Sequence, residues 1–109
     1  MRNRLREFLI VTSRYKITQY GGYMEYKIEN EFLEAVVCSK GCELVSVKTK
    51  KDGAEHIWQG DPDAWKRHAP VLFPLVGKYK DNKTEYQGKT YEMSQHGFAR
   101  DMELSLIHI

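Results

Sequence analysis

Three features of the sequence predict an all-β protein. Polar and apolar residues alternate in short runs, as in residues 33–37, where Leu33, Ala35 and Val37 alternate with Glu34 and Val36. Residues that favour turns, mainly Gly, Asn and Asp, separate these runs at short intervals. No stretch carries the 3.6-residue apolar repeat of an amphipathic helix longer than a few turns. This rhythm of short strands and turns favours a β-sandwich.

The first predicted strands cover residues 25–28 and 32–37, and a turn at residues 29–31 joins them. Asn30 suits that turn because its side chain can accept hydrogen bonds from the backbone that follows it. A third strand is predicted over residues 43–50. Strict alternation would place Leu44, Ser46 and Lys48 on one face and Val45, Val47 and Thr49 on the other.

Residues 50–66 are predicted to form turns on either side of one short strand. Residues 50–53 end in Asp-Gly, a strong short-range hairpin signal, and a return strand is predicted at residues 56–58. A further turn is predicted at residues 60–63. Asp63 is expected to cap a short helical turn at residues 64–66, because a side-chain carboxylate can accept hydrogen bonds from the first backbone N–H groups of a helix.

The most distinctive part of the chain runs from Trp65 to Asp101. It opens with WKRHAPVLFPLVGK over residues 65–78 and closes with QHGFARD over residues 95–101. A predicted hairpin lies between them, with strands at residues 83–86 and 89–93 joined at Gln87-Gly88.

Composition and charge exclude several classes of protein. Seventeen basic residues stand against fifteen acidic ones, for a net charge of +2, and they are scattered along the chain. A nucleic-acid-binding surface would need Lys and Arg clustered on one face, so none is expected. The apolar run at residues 8–11 is too short for a membrane span or a signal peptide. Cys38 and Cys42 lack further metal ligands nearby and are expected to be free thiols in a cytoplasmic protein.

The motifs of residues 65–78, 83–93 and 95–101, in this order and spacing, closely resemble the aldose 1-epimerase, or galactose mutarotase-like, superfamily. The resemblance runs from about Met24 to about Glu103 and is best to the LacX-like branch. It implies the N-terminal part of a galactose mutarotase-like β-sandwich, the supersandwich fold, and an incomplete one, because family members are much longer. It also implies a small-molecule sugar, an aldohexose, as the ligand.

The resemblance predicts three segments. Residues 24–103 form the N-terminal portion of the epimerase-like domain. Residues 1–23 are expected to be a non-native upstream extension, with translation starting at Met24; the alternative is a genuine N-terminal strand or helix on the edge of the fold. Residues 104–109 are a doubtful tail, because they do not continue the family pattern.

His96 is the first candidate for sugar binding. A neutral imidazole can both donate hydrogen bonds to sugar hydroxyls and accept them. The matching family histidine contacts the sugar near its ring oxygen and anomeric hydroxyl. Gly97 would let a ligand or a second backbone approach closely, and Pro70, Phe73 and Pro74 are expected to form the wall beneath the site. The alternative is that His96 is purely structural.

Three cations complete the predicted substrate-binding set. Lys78 stands where sugar-binding family members commonly carry Arg. The ammonium group of Lys is a point charge, whereas the guanidinium group of Arg is planar with several fixed donors, and this difference puts the hexose preference in doubt. Arg67 could contact a sugar or a phosphate on it. Arg100 could also bind substrate, although pairing with Asp101 to hold the loop that presents His96 is the favoured role.

Mutarotation interconverts the α- and β-anomers of an aldose, and it needs one general acid and one general base but no cofactor or metal. In the family the acid is a second His and the base a late Glu. No matching segment occurs in this chain, so it is expected to be inactive by itself. Two alternatives stay open, a non-catalytic carbohydrate-binding sandwich and part of a hexose-6-phosphate 1-epimerase. An incomplete sandwich would also expose apolar faces and strand edges, which predicts self-association.

Overall fold

The computed structural model describes residues 15–20 and 22–105, and within them the fold is all-β, as predicted. Four antiparallel strands form one sheet in chain order, and a separate two-stranded ribbon follows. Two single-turn 3₁₀ helices lie at Lys80–Asn82 and Ala99–Asp101. The strands are β1 (Tyr15–Tyr20), β2 (Tyr23–Glu29), β3 (Leu33–Cys38), β4 (Glu43–Thr49), β5 (Lys83–Tyr86) and β6 (Lys89–Glu92).

The predictions for β2, β3 and the turn between them are confirmed to within two residues at each end. Asn30 forms the turn as expected, since its side-chain oxygen accepts hydrogen bonds from the backbone N–H groups of Phe32 and Leu33, both at 2.8 Å. These bonds occupy backbone donors at the point where the chain reverses direction.

Strand β4 occurs where it was predicted, but its simple alternation was wrong. The pairing register with β3 shifts between Val36 and Val37, so Val36 pairs with Ser46 while Val37 pairs with Leu44. Val45 is the extra residue of a β-bulge, and the successive side chains of Val45 and Ser46 therefore lie on the same face. Leu44 consequently shares a face with Val47, not with Ser46 and Lys48 as alternation had predicted.

The return strand predicted at residues 56–58 is also corrected. The chain turns at residues 50–53 as expected, with Gly53 at φ 69°. It then makes one isolated bridge to β4, between Lys48 and Glu55, and no strand follows within the described residues up to Lys83. A single carboxylate, that of Glu55, accepts the backbone donors here, so a continued ladder is not needed to satisfy them.

Asp61, not Asp63, caps the turn at residues 60–66. The Asp61 side chain accepts a hydrogen bond from the N–H of Asp63 at 2.9 Å, and its carbonyl accepts from Ala64 and Trp65. The sequence offered two aspartates two residues apart, and only the backbone conformation selects which one faces the free donors.

The predicted hairpin of β5 and β6 is confirmed. Gln87 and Gly88 lie at φ 50° and 73°, the two positive values that a type I′ turn requires. The ribbon is exposed along most of its length.

The two faces of the main sheet differ in chemistry. Directly paired residues share a face, and the register divides the side chains of β2, β3 and β4 accordingly. The polar face carries Glu25, Lys27, Glu29, Glu34, Val36, Cys38, Glu43, Val45, Ser46 and Lys48. The apolar face carries Met24, Tyr26, Ile28, Leu33, Ala35, Val37, Leu44, Val47 and Thr49.

Neither face is sealed within the described part of the chain. Ala99 is the one buried apolar residue there, and no large side chain is fully buried. On the apolar face, Ile28 is 43% exposed and Leu33 is 44% exposed. A closed sandwich would bury such side chains between two sheets about 10 Å apart.

The backbone of residues 15–20 forms the edge strand β1, paired along its length with β2. This is one of the two alternatives considered for the segment before Met24, and the assignment of residues 1–23 as an extension stays a prediction. Residues 1–14, 21 and the end of the proposed tail, 106–109, lie outside the described residues. No helix in the described ranges is long and apolar enough to cross a membrane.

Candidate functional site

The loop of residues 94–101, here called the His96 loop, rests on the backbone of Phe73. The Phe73 carbonyl accepts hydrogen bonds from the N–H groups of Phe98 and Ala99, at 3.1 and 3.2 Å. A Cβ atom at Gly97 would overlap that same carbonyl oxygen, and Gly97 has a φ of 72°. Glycine is therefore required for both space and backbone conformation. The close approach predicted at Gly97 is made by a second backbone, and Phe73 does lie beneath the loop.

His96 is held by two hydrogen bonds to one residue. Its N–H donates to the Gly77 carbonyl at 2.7 Å, and its ring Nδ1 accepts from the Gly77 N–H at 3.0 Å. Because Nδ1 accepts, the neutral ring must carry its proton on Nε2. Nε2 makes no hydrogen bond to a described residue, so its N–H is available to a ligand.

Lys78 follows Gly77 directly and is therefore close in the chain to the residue that orients His96. Its side chain is exposed and forms no ion pair with any residue the structure describes. It can thus move to meet a polar ligand, at the cost of its side-chain conformational freedom.

Arg67 and Arg100 both contact Asp101. The Arg67 Nη2 lies 2.8 Å from Asp101 Oδ1, and the Arg100 Nε lies 3.8 Å from Asp101 Oδ2. The hydrogen bond from Arg67 lowers the pKa of the Asp101 carboxyl; partial desolvation opposes this, and the charges of Arg67, Arg100 and Lys40 reinforce it. The expected Arg100–Asp101 pair is present, but Arg67 is the closer partner.

Arg100 also joins the two ends of the His96 loop. Its Nη2 donates to the carbonyl of Gln95, the residue before His96, at 2.8 Å. The structural role predicted for Arg100, holding the loop that presents His96, is thus supported by a direct contact.

The chain after Arg100 returns to the main sheet. The Gly41 N–H donates to the Met102 carbonyl at 2.6 Å, and the Leu104 N–H donates to the Ser39 carbonyl at 2.9 Å. The buried Ser39 hydroxyl donates to the Glu103 carboxylate. These contacts fix Arg100 and Asp101 beside the β3–β4 turn.

The polar face of the sheet forms the floor of an open cleft of about 720 Å³. Four groups on its walls come from distant parts of the chain: Arg67, His68, Arg100 and Asp101. Acidic and basic side chains both line the cleft, so it lacks the uniformly positive lining of a dedicated anion-binding site. A wide polar cleft with many donors and acceptors suits a neutral polyhydroxy ligand.

The four predicted substrate-binding residues fall into two groups. Arg67 and Arg100 line the cleft, whereas His96 and Lys78 are not among its lining residues. The loop contact from Arg100 to Gln95 connects the two groups. The structure thus brings Arg67 and Arg100 together in the cleft. His96 lies outside the cleft lining on the same loop as Arg100, and Lys78 follows Gly77, which bonds His96.

Glu43 is a site residue that sequence reasoning missed. Its Oε1 accepts hydrogen bonds from the backbone N–H groups of His68 and Ala69, at 2.6 and 2.9 Å, and so fixes the segment that carries Arg67. These partners are 25 and 26 residues away in the chain, and no local signal in the sequence indicates them.

The described all-β architecture is that of part of a galactose mutarotase-like β protein, because two solved structures of that class match it over most of this chain. The chain belongs to the aldose 1-epimerase family, because the family model for aldose 1-epimerase matches residues 24–108. The predicted superfamily is confirmed.

Two solved structures are similar. One is a galactose mutarotase related enzyme from Lactobacillus acidophilus, 48% identical with a TM-score of 0.71; the match covers 73% of this chain and 27% of that one. The other is a galactose mutarotase-like protein from Lactobacillus casei, 46% identical with a TM-score of 0.70; the match covers 72% and 27%.

Among curated proteins, the plasmid and chromosomal forms of protein LacX from Lactococcus lactis are each 35% identical over 88 residues. The match covers 76% of this chain and 29% of each relative, so the chain spans less than a third of the relatives' length.

Proposed function

We propose that this chain forms the N-terminal, sugar-binding part of an aldose 1-epimerase that interconverts the α- and β-anomers of a free aldohexose. The observation that carries the proposal is the orientation of His96. The Gly77 N–H occupies Nδ1 and leaves Nε2–H as a neutral donor. Family membership supplies the reaction class.

In this reaction the sugar ring opens when the ring oxygen gains a proton and the anomeric hydroxyl loses one; rotation about C1–C2 and ring closure follow. A neutral Nε2–H donor at His96 would bind the oxygen atoms near the anomeric carbon without adding a charge. Lys78, Arg67 and Arg100 would hydrogen-bond other hydroxyls of the ring. These residues bind and orient the sugar.

The general acid and the general base are proposed to lie in the part of the fold that this chain does not span. Each is worth about 10²–10⁴-fold in rate, so the chain by itself should leave mutarotation close to its spontaneous rate. We also propose a cytoplasmic location, a compartment in which Cys38 and Cys42 stay reduced; both are free in the structure.

One observation favours a phosphorylated hexose as a second candidate ligand. Arg67 and Arg100 line the same cleft, and two guanidinium groups suit a phosphate. Against this, Asp101 lies between them and already takes a hydrogen bond from Arg67. A non-catalytic carbohydrate-binding role would use the same contacts as the enzyme and need no acid or base.

The test is a titration of the chain with D-galactose, D-glucose and glucose 6-phosphate, followed by ¹H–¹⁵N NMR. A free hexose should shift resonances of residues 67, 77–78 and 94–100. His96→Ala should weaken binding up to about tenfold, because one hydrogen bond contributes about 0.5–1.5 kcal/mol. His56→Ala, which removes a histidine bonded to Thr49 in a distant turn, should change nothing.

Polarimetry on the same samples separates the alternatives. A rate above the spontaneous one that His96→Ala abolishes would contradict the proposal that acid and base lie elsewhere. Binding of glucose 6-phosphate alone, lost in Arg67→Ala, would favour the phosphosugar candidate. The absence of any sugar-induced shift near His96 would contradict sugar binding by this loop.

A further inference from the structure

Glu43 lies at a point where two segments that are distant in the chain meet the main sheet. It is the first residue of β4, directly after the turn that joins β3 to β4. Its Oε1 accepts hydrogen bonds from the backbone N–H groups of His68 and Ala69. In the same turn, the Gly41 N–H donates to the carbonyl of Met102, the residue that follows the His96 loop. One turn of the sheet therefore contacts both the segment that carries Arg67 and the end of the His96 loop.

The two hydrogen bonds to Glu43 belong to a strong class, because their acceptor is a carboxylate. They are 2.6 and 2.9 Å long. No other group among the described residues accepts a hydrogen bond from these two N–H groups. Removal of the carboxylate would leave two neighbouring backbone donors without a partner in a half-buried position, which is costly. The segment would then have to move to satisfy them.

The first consequence of such a movement concerns Arg67, the residue before His68. The Arg67 Nη2 lies 2.8 Å from Oδ1 of Asp101, which belongs to the His96 loop. In the same loop, Arg100 donates to the Gln95 carbonyl next to His96. Because Glu43 fixes the backbone at His68, it also fixes the origin of the side chain that joins this segment to the His96 loop.

The second consequence runs along the backbone from Ala69 to Phe73. Pro70 has a fixed φ and also keeps Ala69 out of the helical region, so this stretch is stiff. The Phe73 carbonyl accepts a hydrogen bond from the Phe98 N–H. A displacement at Ala69 would therefore also displace the backbone on which the His96 loop rests.

We propose that Glu43 is a positioning residue for sugar binding, which acts through residues 67–73 on the His96 loop. The inference rests on the proposed function for the identity of the ligand and on the contacts above for the connection itself. The role requires an acceptor oxygen at this position, not a negative charge. Glu43 also lines the cleft, so the experiment must separate positioning from direct contact between its charge and the sugar.

Three variants of the full chain make this separation. Glu43→Gln keeps an acceptor oxygen and removes the charge, whereas Glu43→Ala removes both. Glu55→Ala is the matched control, because Glu55 is also a half-buried carboxylate that accepts backbone hydrogen bonds beside β4. All of its hydrogen-bond partners lie within nine residues of it, and none belongs to residues 67–73 or to the His96 loop.

Each variant is studied by ¹H–¹⁵N NMR without sugar and during titration with D-galactose. Glu43→Ala should shift the amide resonances of residues 95–98 in the free chain. It should also weaken hexose binding about tenfold, the effect of losing about one hydrogen bond to the ligand. Glu43→Gln should keep the wild-type resonances and affinity. Glu55→Ala should lower the urea midpoint and leave the hexose affinity and the loop resonances unchanged.

Wild-type far-UV circular dichroism establishes that each variant is folded. Where Glu43→Ala does not fold, Glu43→Asp replaces it, because a side chain shorter by one methylene withdraws the carboxylate from the two N–H groups. Glu43→Asp should change the loop resonances and the hexose affinity in the same direction as Glu43→Ala, although it keeps the charge.

Wild-type loop resonances and affinity in Glu43→Ala would overturn the proposal. An equal loss of affinity in Glu55→Ala would overturn it too, because lower stability alone would then explain the effect. An equal loss in Glu43→Gln would assign the effect to the charge and also count against positioning. A wild-type chain that binds no hexose would contradict the proposed function instead, and the spectra without sugar would still decide whether Glu43 positions the His96 loop.

Discussion

The turn around Glu55 and the His96 loop are both irregular, but the first is stabilised by contacts that are local in the chain and the second by contacts with distant residues. In the turn around Glu55, one carboxylate accepts hydrogen bonds from the Ser46 hydroxyl and from three backbone N–H groups, all within nine residues. The His96 loop is held mainly by backbone groups 19 or more residues away, at Phe73 and Gly77. The first segment is local in the chain and the second depends on tertiary structure.

The two segments should therefore be sensitive to different changes, one to pH and the other to added side-chain volume. The Glu55 turn depends on one charged side chain, so it responds to pH. The His96 loop depends on backbone approach, so it responds to added volume. Three predictions follow this difference from the largest expected effect to the smallest.

Gly97→Ala should destabilise the protein most. The new methyl group would meet the Phe73 carbonyl, and the backbone φ of 72° is unfavourable for alanine. We expect a loss of about 2–5 kcal/mol, from left-handed backbone strain of about 1–2 and overpacking of about 1–3 kcal/mol. Urea unfolding monitored by circular dichroism measures it.

Gly53→Ala is the matched control, because Gly53 has a φ of 69° but nothing within 4 Å of the position of a Cβ. It should cost only the backbone term, about 1–2 kcal/mol. Equal losses for the two variants would show that the contact with Phe73 contributes nothing.

Glu55 should make stability depend on acid. Partial desolvation raises the pKa of its carboxyl, but the hydrogen bonds from Ser46 and from the backbone of Ile57, Val47 and His56 outweigh it, lowering the pKa from 4.5 to about 2. A lowered pKa adds stability above the unfolded value, and protonation removes it as pH falls from about 4.5 towards 2.

Glu55→Gln should be less stable than wild type at pH 6 and should lose less of its stability between pH 4.5 and 2. Glu85→Gln, on the exposed hairpin, controls for the loss of one carboxylate and should keep the wild-type acid profile. Parallel acid profiles for Glu55→Gln and wild type would contradict the pKa assignment.

The Arg67–Asp101 pair should have the smallest effect, because Asp101 is 56% exposed. A double-mutant cycle with Arg67→Ala and Asp101→Ala should give a coupling of about 0.2–1 kcal/mol that shrinks in high salt. The exposed Lys83–Glu92 pair, at 3.3 Å, should couple no more strongly. A salt-independent coupling well above 1 kcal/mol would show that the cleft is far less hydrated than the structure indicates.

Local sequence predicted the elements whose causes are local. Asn30 and the Gln87-Gly88 pair define their turns through their own side chains and backbone preferences, and both turns occur where predicted. The β-bulge at Val45 and the capping role of Asp61 were mispredicted, because alternation and residue type alone do not say where a ladder shifts or which donor is free.

The sequence by itself determined the family, the all-β class, the positions of β2 to β6 and the motif residues from Trp65 to Asp101. Tertiary structure alone decided that Gly97 touches Phe73, that Gly77 sets the tautomer of His96 and that Arg67 shares Asp101 with Arg100. The reason is physical, because turn and strand preferences act over a few residues. Apart from the pair of adjacent residues Arg100 and Asp101, these contacts join residues between 19 and 34 positions apart in the chain.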